Sequence, residues 1–97
     1  MKTVIPAIAV AFCLSAFASA APLELTYWDF LGGGDGIRMK QIVEAFNKSQ
    51  SDIHVNESTL TWGEPFYTKV HTGVVAGQTP DVMTYHLSHF PAGIQAK

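Results

Sequence analysis

The chain has 97 residues, a formal net charge of −2, 14% charged residues and 47% hydrophobic residues. A length of this order accommodates one small domain or part of a larger one, and the ordinary hydrophobic content disfavours disorder. The six basic residues are scattered, which disfavours a nucleic-acid-binding protein. The only cysteine is Cys13, so a disulfide-rich secreted scaffold is excluded.

Residues 1–20 carry the three parts of an export signal. A basic residue, Lys2, precedes an apolar run over residues 4–17, and small residues follow at 18–20. The run is shorter than the ~20 residues that a membrane span needs. We therefore expect cleavage after Ala20 and a periplasmic protein whose single folded domain comprises residues 21–97.

The first half of that domain predicts a strand followed by a helix. Apolar and polar residues alternate from Leu23, and the strand continues to Phe30. Glycines at 32–34 and 36 then interrupt the chain, and Asp35 is expected to cap the helix that follows. Four apolar residues at helical spacing predict the buried stripe of this helix. They are Met39, Ile42, Val43 and Phe46.

The second half predicts strand, helix and strand. A second strand is expected over residues 53–62, and Pro65 suits the first turn of a second helix. An apolar stripe is expected to bury this helix, with Gly77 as its C-cap. The stripe consists of Phe66, Tyr67, Val70 and Val74. A short buried strand over 82–85 and a helix from residue 87 complete a β-α-β-α-β pattern, which predicts a parallel sheet with right-handed crossovers.

Several short motifs, taken together, resemble one protein family. The pair Tyr27-Trp28 ends the first strand, residues 42–48 read Ile-Val-Glu-Ala-Phe-Asn-Lys, and Ile53-His54-Val55 begins the second strand. The most specific motif is Ala-Gly-Gln-Thr-Pro-Asp-Val at residues 76–82. This set resembles the N-terminal lobe of family 1 extracellular solute-binding proteins, the periplasmic sugar-binding components of ABC importers.

The resemblance implies a fold, a function and partners. Residues 21–97 would be a partial lobe of a periplasmic-binding-protein type II fold. The intact proteins of this family are several times longer and close two lobes around a sugar. A monomer, an ABC importer permease as partner, no cofactor and no nucleic acid are implied. The resemblance also implies that this chain carries only the beginning of the first lobe.

Three loops are candidates for contacting the sugar, because ligands of parallel α/β sheets bind beyond the carboxyl ends of the strands. These loops are residues 28–36, 60–64 and 85–90. Aromatic rings can stack on a sugar, and polar side chains can bind its hydroxyl groups. The expected rings are Phe30, Trp62 and Tyr85, and the expected polar groups are Asp35, Ser88 and His89. Trp28 is expected in the core, and packing under the loop is an alternative role for Phe30. Helix capping is an alternative for Asp35, and simple solvation is an alternative for Ser88 and His89.

Other functions are less favoured by the sequence. The glycine-rich loop lacks the spacing of a dinucleotide or phosphate-binding loop, and no nucleophile–base pair is recognisable, so we expect no enzyme, no catalytic residue and no cofactor. His86 and His89 are three residues apart and leave a small metal-binding protein as an alternative. A non-functional secreted remnant of a truncated gene is a further alternative.

Overall fold

The structure is a computed structural model that describes residues 20–95. The predicted export signal, apart from Ala20, lies outside the described residues. Within residues 20–95, no helix is long and apolar enough to cross a membrane.

Three parallel strands form the centre of the fold. They are β1 (Leu23–Asp29), β2 (Ile53–Thr59) and β3 (Val82–Met83), and their spatial order is β2-β1-β3. Strands β1 and β2 pair along seven residues, from Leu23 opposite Ile53 to Asp29 opposite Thr59. Strand β3 pairs only through Val82 and Met83, opposite Tyr27 and Trp28. The predicted parallel α/β class is therefore confirmed.

The helices flank this sheet on both faces. They are α1 (Gly33–Ser49), α2 (Glu64–Ala76) and α3 (Phe90–Gln95), and a 3₁₀ turn at Leu87–His89 precedes α3. The Asn47 amide of α1 donates a 3.0 Å hydrogen bond to the Val55 carbonyl of β2. On the other face, the Lys69 ammonium of α2 lies 5.0 Å from the ring centre of Trp28. Two crossovers that leave β1 and β2 in opposite directions produce this arrangement.

The core lies between the sheet and α2. Its buried side chains are Phe30, Phe66, Tyr67 and Val70, and Trp28, Leu60 and Tyr85 pack against them. Trp28 is thus partly buried, in line with its expected packing role.

The ends of α2 agree with the prediction, whereas the start of α1 does not. Gly77 adopts the left-handed conformation at φ 67°, and its N–H reaches the carbonyls of Gly73 and Val74. In α1 the N-cap is Gly32, and no side chain caps the helix. Asp35 lies in the first turn instead, because Gly33 at φ 55° allows the helix to begin before it. The predicted capping role of Asp35 was wrong, although a carboxylate there still favours the positive end of the helix dipole.

Burial of the apolar stripes was overestimated. In α1, Ile42 is 61% exposed and Phe46 is 41% exposed, and in α2, Val74 is 48% exposed. The third strand has two residues rather than four, and Val82 is 54% exposed. The second strand ends at Thr59 rather than at residue 62. The three helix residues are exposed because a sheet of three strands is too narrow to cover every apolar position of the helices packed on it.

Candidate functional site

The candidate site lies at the carboxyl ends of the three strands. Strand β1 is central, and the chain leaves β1 and β2 toward helices on opposite faces of the sheet. Such a reversal creates a crevice outside the strand ends, where parallel α/β sheets bind ligands. The segments that follow β1, β2 and β3 all contribute aromatic or imidazole rings to this region.

These rings form one group, which we call the aromatic cluster. It consists of Phe30, Trp62, Phe66, Tyr67, Tyr85, His86 and His89. None of its members is a carboxylate, lysine or arginine, so the cluster offers apolar ring faces together with hydroxyl and imidazole groups.

His86 connects three parts of the cluster. Its ring stacks on Phe30 with centroids 4.6 Å apart and an interplanar angle of 16°. The rings of Trp62 and His86 meet edge to face, with their centroids 6.1 Å apart and an interplanar angle of 88°. The Tyr67 hydroxyl and Nδ1 of His86 share a hydrogen bond of 2.5 Å. With one ring nitrogen engaged in this way, the other, Nε2, is the group through which His86 can bind a ligand.

Tyr67 supports the second imidazole. Its ring is only 5% exposed and stacks on His89 with centroids 3.6 Å apart and an interplanar angle of 5°. The rings of Phe66 and Tyr85 meet it edge-on at 5.4 Å and 5.2 Å. Such edge-to-face contacts are the favourable geometry for aromatic pairs. Tyr67 therefore holds the positions of both histidines from inside the core.

The three rings predicted to stack on a sugar, Trp62, Phe30 and Tyr85, differ in exposure and in packing. Trp62 is 67% exposed, so its indole can receive a ligand. Phe30 is 8% exposed, and His86 stacks on one face of its ring. The ring centroids of Phe30 and Phe66 are 4.9 Å apart. Phe30 therefore supports the cluster from the core. Tyr85 packs between Tyr67 and Phe90, toward α3 rather than toward Trp62.

Of the three polar residues predicted to bind a sugar, only one belongs to the aromatic cluster. His89 belongs to the cluster. Ser88 is exposed in the 3₁₀ turn, and Asp35 is exposed at the start of α1. Neither Ser88 nor Asp35 makes any of the ring contacts or hydrogen bonds that hold the cluster within residues 20–95. Their role as sugar ligands stays a prediction.

Three members of the cluster were missed as ligand-site residues by the sequence analysis. Phe66 and Tyr67 were assigned to the core, which is where they lie, and His86 was considered only for metal binding. A signal for His86 was present, because it directly follows Tyr85 after the third strand and therefore lies at the same edge of the sheet.

An apolar cavity of ≈ 400 Å³ lies beside the cluster, between α2, β3 and α3. Val70, Val74, Met83, Tyr85, Phe90 and Ile94 are among its lining residues. Neither Trp62 nor His86 lines it. Such walls offer few partners to the hydroxyl groups of a sugar, so the cavity and the crevice at Trp62 are distinct.

Two possible metal ligands, His86 and His89, lie in the same region. The ring centroids of His86 and His89 are 6.4 Å apart. In the part of the chain that the structure describes, no group of three or more histidine, cysteine, aspartate or glutamate residues is placed to hold a metal ion. A metal-carrying role stays a prediction, and a zinc-dependent rise in the melting temperature would support it.

Comparisons with protein-family models, with curated proteins and with solved structures found no match for the chain. A function for this site therefore has to be argued from its own residues and their geometry.

Proposed function

We propose that this chain is the N-terminal part of an exported carbohydrate-binding protein that delivers a mono- or oligosaccharide to an ABC importer. The motif resemblance over residues 25–91 suggests this role. The observation that carries it in the structure is the exposed indole of Trp62 beside His86, at the carboxyl ends of parallel strands. On this proposal the protein acts in the periplasm as a monomer without a cofactor.

The site has the two properties that a sugar requires. The C–H faces of a pyranose ring pack against flat apolar surfaces, and Trp62 supplies such a surface. The hydroxyl groups need directional hydrogen bonds, which the free ring nitrogen of His86 and the imidazole of His89 can provide. Phe30 and Tyr67 fix both imidazoles by stacking, so little ordering of these rings is needed when a ligand binds.

A single partial lobe is expected to bind weakly. In two-lobed binding proteins a ligand favours the closed state because it contacts both lobes. The residues described here supply contacts from one side only. We therefore expect dissociation constants in the millimolar range or no detectable binding, and micromolar binding in isothermal titration calorimetry would contradict this expectation.

Saturation-transfer NMR suits this range because it detects weak binding. The protein is mixed in turn with glucose, galactose, maltose and cellobiose, and transfer to the ring C–H protons is recorded. We expect transfer from the protein to at least one sugar, and its loss in Trp62→Ala. Ile37→Ala is the matched control, because Ile37 is similarly exposed, at 62%, but lies on α1. Equal transfer in Trp62→Ala and in the unmodified protein would reject Trp62 as the sugar platform.

A further inference from the structure

A pair of carboxyl groups lies on the α1 face of the sheet, near the end of β1. Asp29 is 0% exposed. Its Oδ1 accepts a 2.9 Å hydrogen bond from the Leu31 N–H, and its Oδ2 accepts a 3.4 Å hydrogen bond from the Thr59 hydroxyl. Both donors are neutral, so neither hydrogen bond brings a positive charge to this buried carboxyl group.

Glu57 is the second carboxyl group. The strand register places Glu57 opposite Tyr27 and Thr59 opposite Asp29. Side chains two residues apart in a strand share a face, so Glu57 is a diagonal neighbour of Asp29. An interaction with the Asp29 carboxyl group is among the causes that raise the pKa of Glu57. Its Oε1 is buried and has no hydrogen-bond partner in the described residues.

Two adjacent carboxylates with so few donors are unfavourable when both are ionised. A proton placed between them removes the repulsion and supplies the hydrogen bond that Glu57 lacks. Burial and the neighbouring Asp29 raise the pKa of Glu57 above its ordinary value of 4.5, whereas the charge of Lys40 on α1 lowers that pKa to a smaller extent. The other titratable neighbour, Tyr27, directs its hydroxyl to Thr84, 2.7 Å away.

We propose that Asp29 and Glu57 share one proton in the folded protein and that this pair makes the fold more stable in mildly acidic solution than at neutral pH. This inference stands apart from sugar binding. The proton is bound by the pair as a unit.

The direction of the pH effect follows from linkage. A carboxyl group whose pKa is raised by folding binds protons more tightly in the folded state. Its contribution to stability is complete near and below pH 4.5 and is lost as pH rises through the folded pKa. Glu24 and Asp81 have lowered pKa values, because hydrogen bonds from His54 and Thr26, respectively, favour their charged forms. Their effects have the opposite sign and occur at lower pH.

A comparison of melting temperatures isolates the pair. In Glu57→Gln, the amide can donate to Asp29 at every pH, as the protonated acid does. We expect Glu57→Gln to melt a few degrees higher than the unmodified protein at pH 7 and at nearly the same temperature at pH 4.5. Glu44→Gln is the control, because the Glu44 side chain is 69% exposed and lies 3.8 Å from the Lys48 ammonium. The proposal would be overturned if Glu57→Gln melted at a lower temperature than the unmodified protein at pH 7, or if the difference in melting temperature did not change with pH.

A second variant and a direct measurement keep the proposal testable if Glu57→Gln does not fold. Asp29→Asn retains an oxygen for the Leu31 N–H and gains an amide that can donate to Glu57. In the unmodified protein, the carboxyl ¹³C signal of Glu57 is expected to titrate with a midpoint above pH 4.5, and Asp29→Asn is expected to lower that midpoint. A Glu57 midpoint at or below 4.5 in the unmodified protein would refute the shared proton.

Discussion

The carboxylate of Asp81 is held by both the backbone and the side chain of Thr26. Its Oδ2 accepts hydrogen bonds from the Thr26 N–H at 2.8 Å and from the Thr26 hydroxyl at 2.9 Å. In return, the Asp81 N–H donates to the Thr26 carbonyl at 3.1 Å. These bonds attach the segment that enters β3 to the central strand β1. The aspartate of the Pro80-Asp81 motif therefore has a structural role, away from the aromatic cluster.

We predict that Asp81→Asn lowers the melting temperature at pH 7. The two donated hydrogen bonds favour the charged carboxylate and lower the pKa of Asp81 below 3.8. A carboxyl group whose pKa is lowered by folding stabilises the fold at pH values above its ordinary pKa. This contribution is lost as pH falls through the folded pKa. The deficit of Asp81→Asn should thus shrink in strongly acidic solution. Asp52→Asn, at an exposed position, is the control, and an unchanged melting temperature at pH 7 would contradict the prediction.

The close approach of α2 to the following turn depends on Gly73. A Cβ at this position would lie 2.7 Å from the backbone carbonyl oxygen of Gln78. That oxygen cannot move as a flexible side chain would, so Gly73→Ala should cost about 1–3 kcal/mol of unfolding free energy, as overpacking typically does. Urea unfolding measures this cost.

Gly34→Ala provides the matched control for that substitution. A Cβ at Gly34, in the first turn of α1, would meet nothing within 4 Å. Alanine is favoured over glycine in helices by up to ~1 kcal/mol. We therefore expect Gly34→Ala to be neutral or stabilising, and equal effects of the two substitutions would reject the steric explanation.

Loss of the Tyr67 hydroxyl should destabilise the fold through His86. Tyr67→Phe removes the hydrogen bond to Nδ1 and leaves a half-buried ring nitrogen without its partner. We expect a loss of about 0.5–1.5 kcal/mol in chemical unfolding and a changed imidazole NMR signal of His86. Tyr85→Phe should change stability less, because the Tyr85 hydroxyl has no recorded hydrogen bond within residues 20–95. A larger loss for Tyr85→Phe would contradict the arrangement described here.

Removal of Trp62 should leave the fold intact. Its indole is 67% exposed, and among the described rings it pairs with His86 in an edge-to-face contact. Trp62→Ala is therefore expected to change the unfolding free energy by no more than about 0.5 kcal/mol. Circular dichroism during urea unfolding checks this, and a large loss of stability would mean that any loss of sugar binding in the same variant reports unfolding.

The open edge of β3 should promote self-association. Within the described sheet, the outer side of β3 pairs with no other strand, and Val82 is 54% exposed there. Exposed apolar edges pair with further chains, and an edge lysine opposes this pairing. We predict less light scattering at high concentration for Val82→Lys than for Val75→Lys, a control at a 90% exposed site of α2. Equal scattering by the two variants would contradict a role for the β3 edge.

The sequence by itself determined the order of the elements, the parallel sheet and the end of α2 at Gly77. These features depend on local information, namely hydrophobic periodicity and the conformational freedom of single glycines. The sequence also located the three candidate loops at one edge of the sheet, since the carboxyl ends of parallel strands coincide. It overestimated burial at Ile42 and Val82, because burial depends on how many elements lie beside a residue, and the three-stranded sheet leaves α1 partly uncovered and β3 at its edge.

Only the tertiary structure decided which side chains meet. It brought His86 to Phe30 and Tyr67, left Asp35 and Ser88 outside the cluster, and made Glu57 a diagonal neighbour of Asp29. Each of these contacts joins residues far apart in the chain, so it depends on the strand register and on the face to which each side chain points. A one-residue shift of register would turn every side chain of a strand to the other face, and hydrophobic pattern alone does not specify the register of strands as polar as β2.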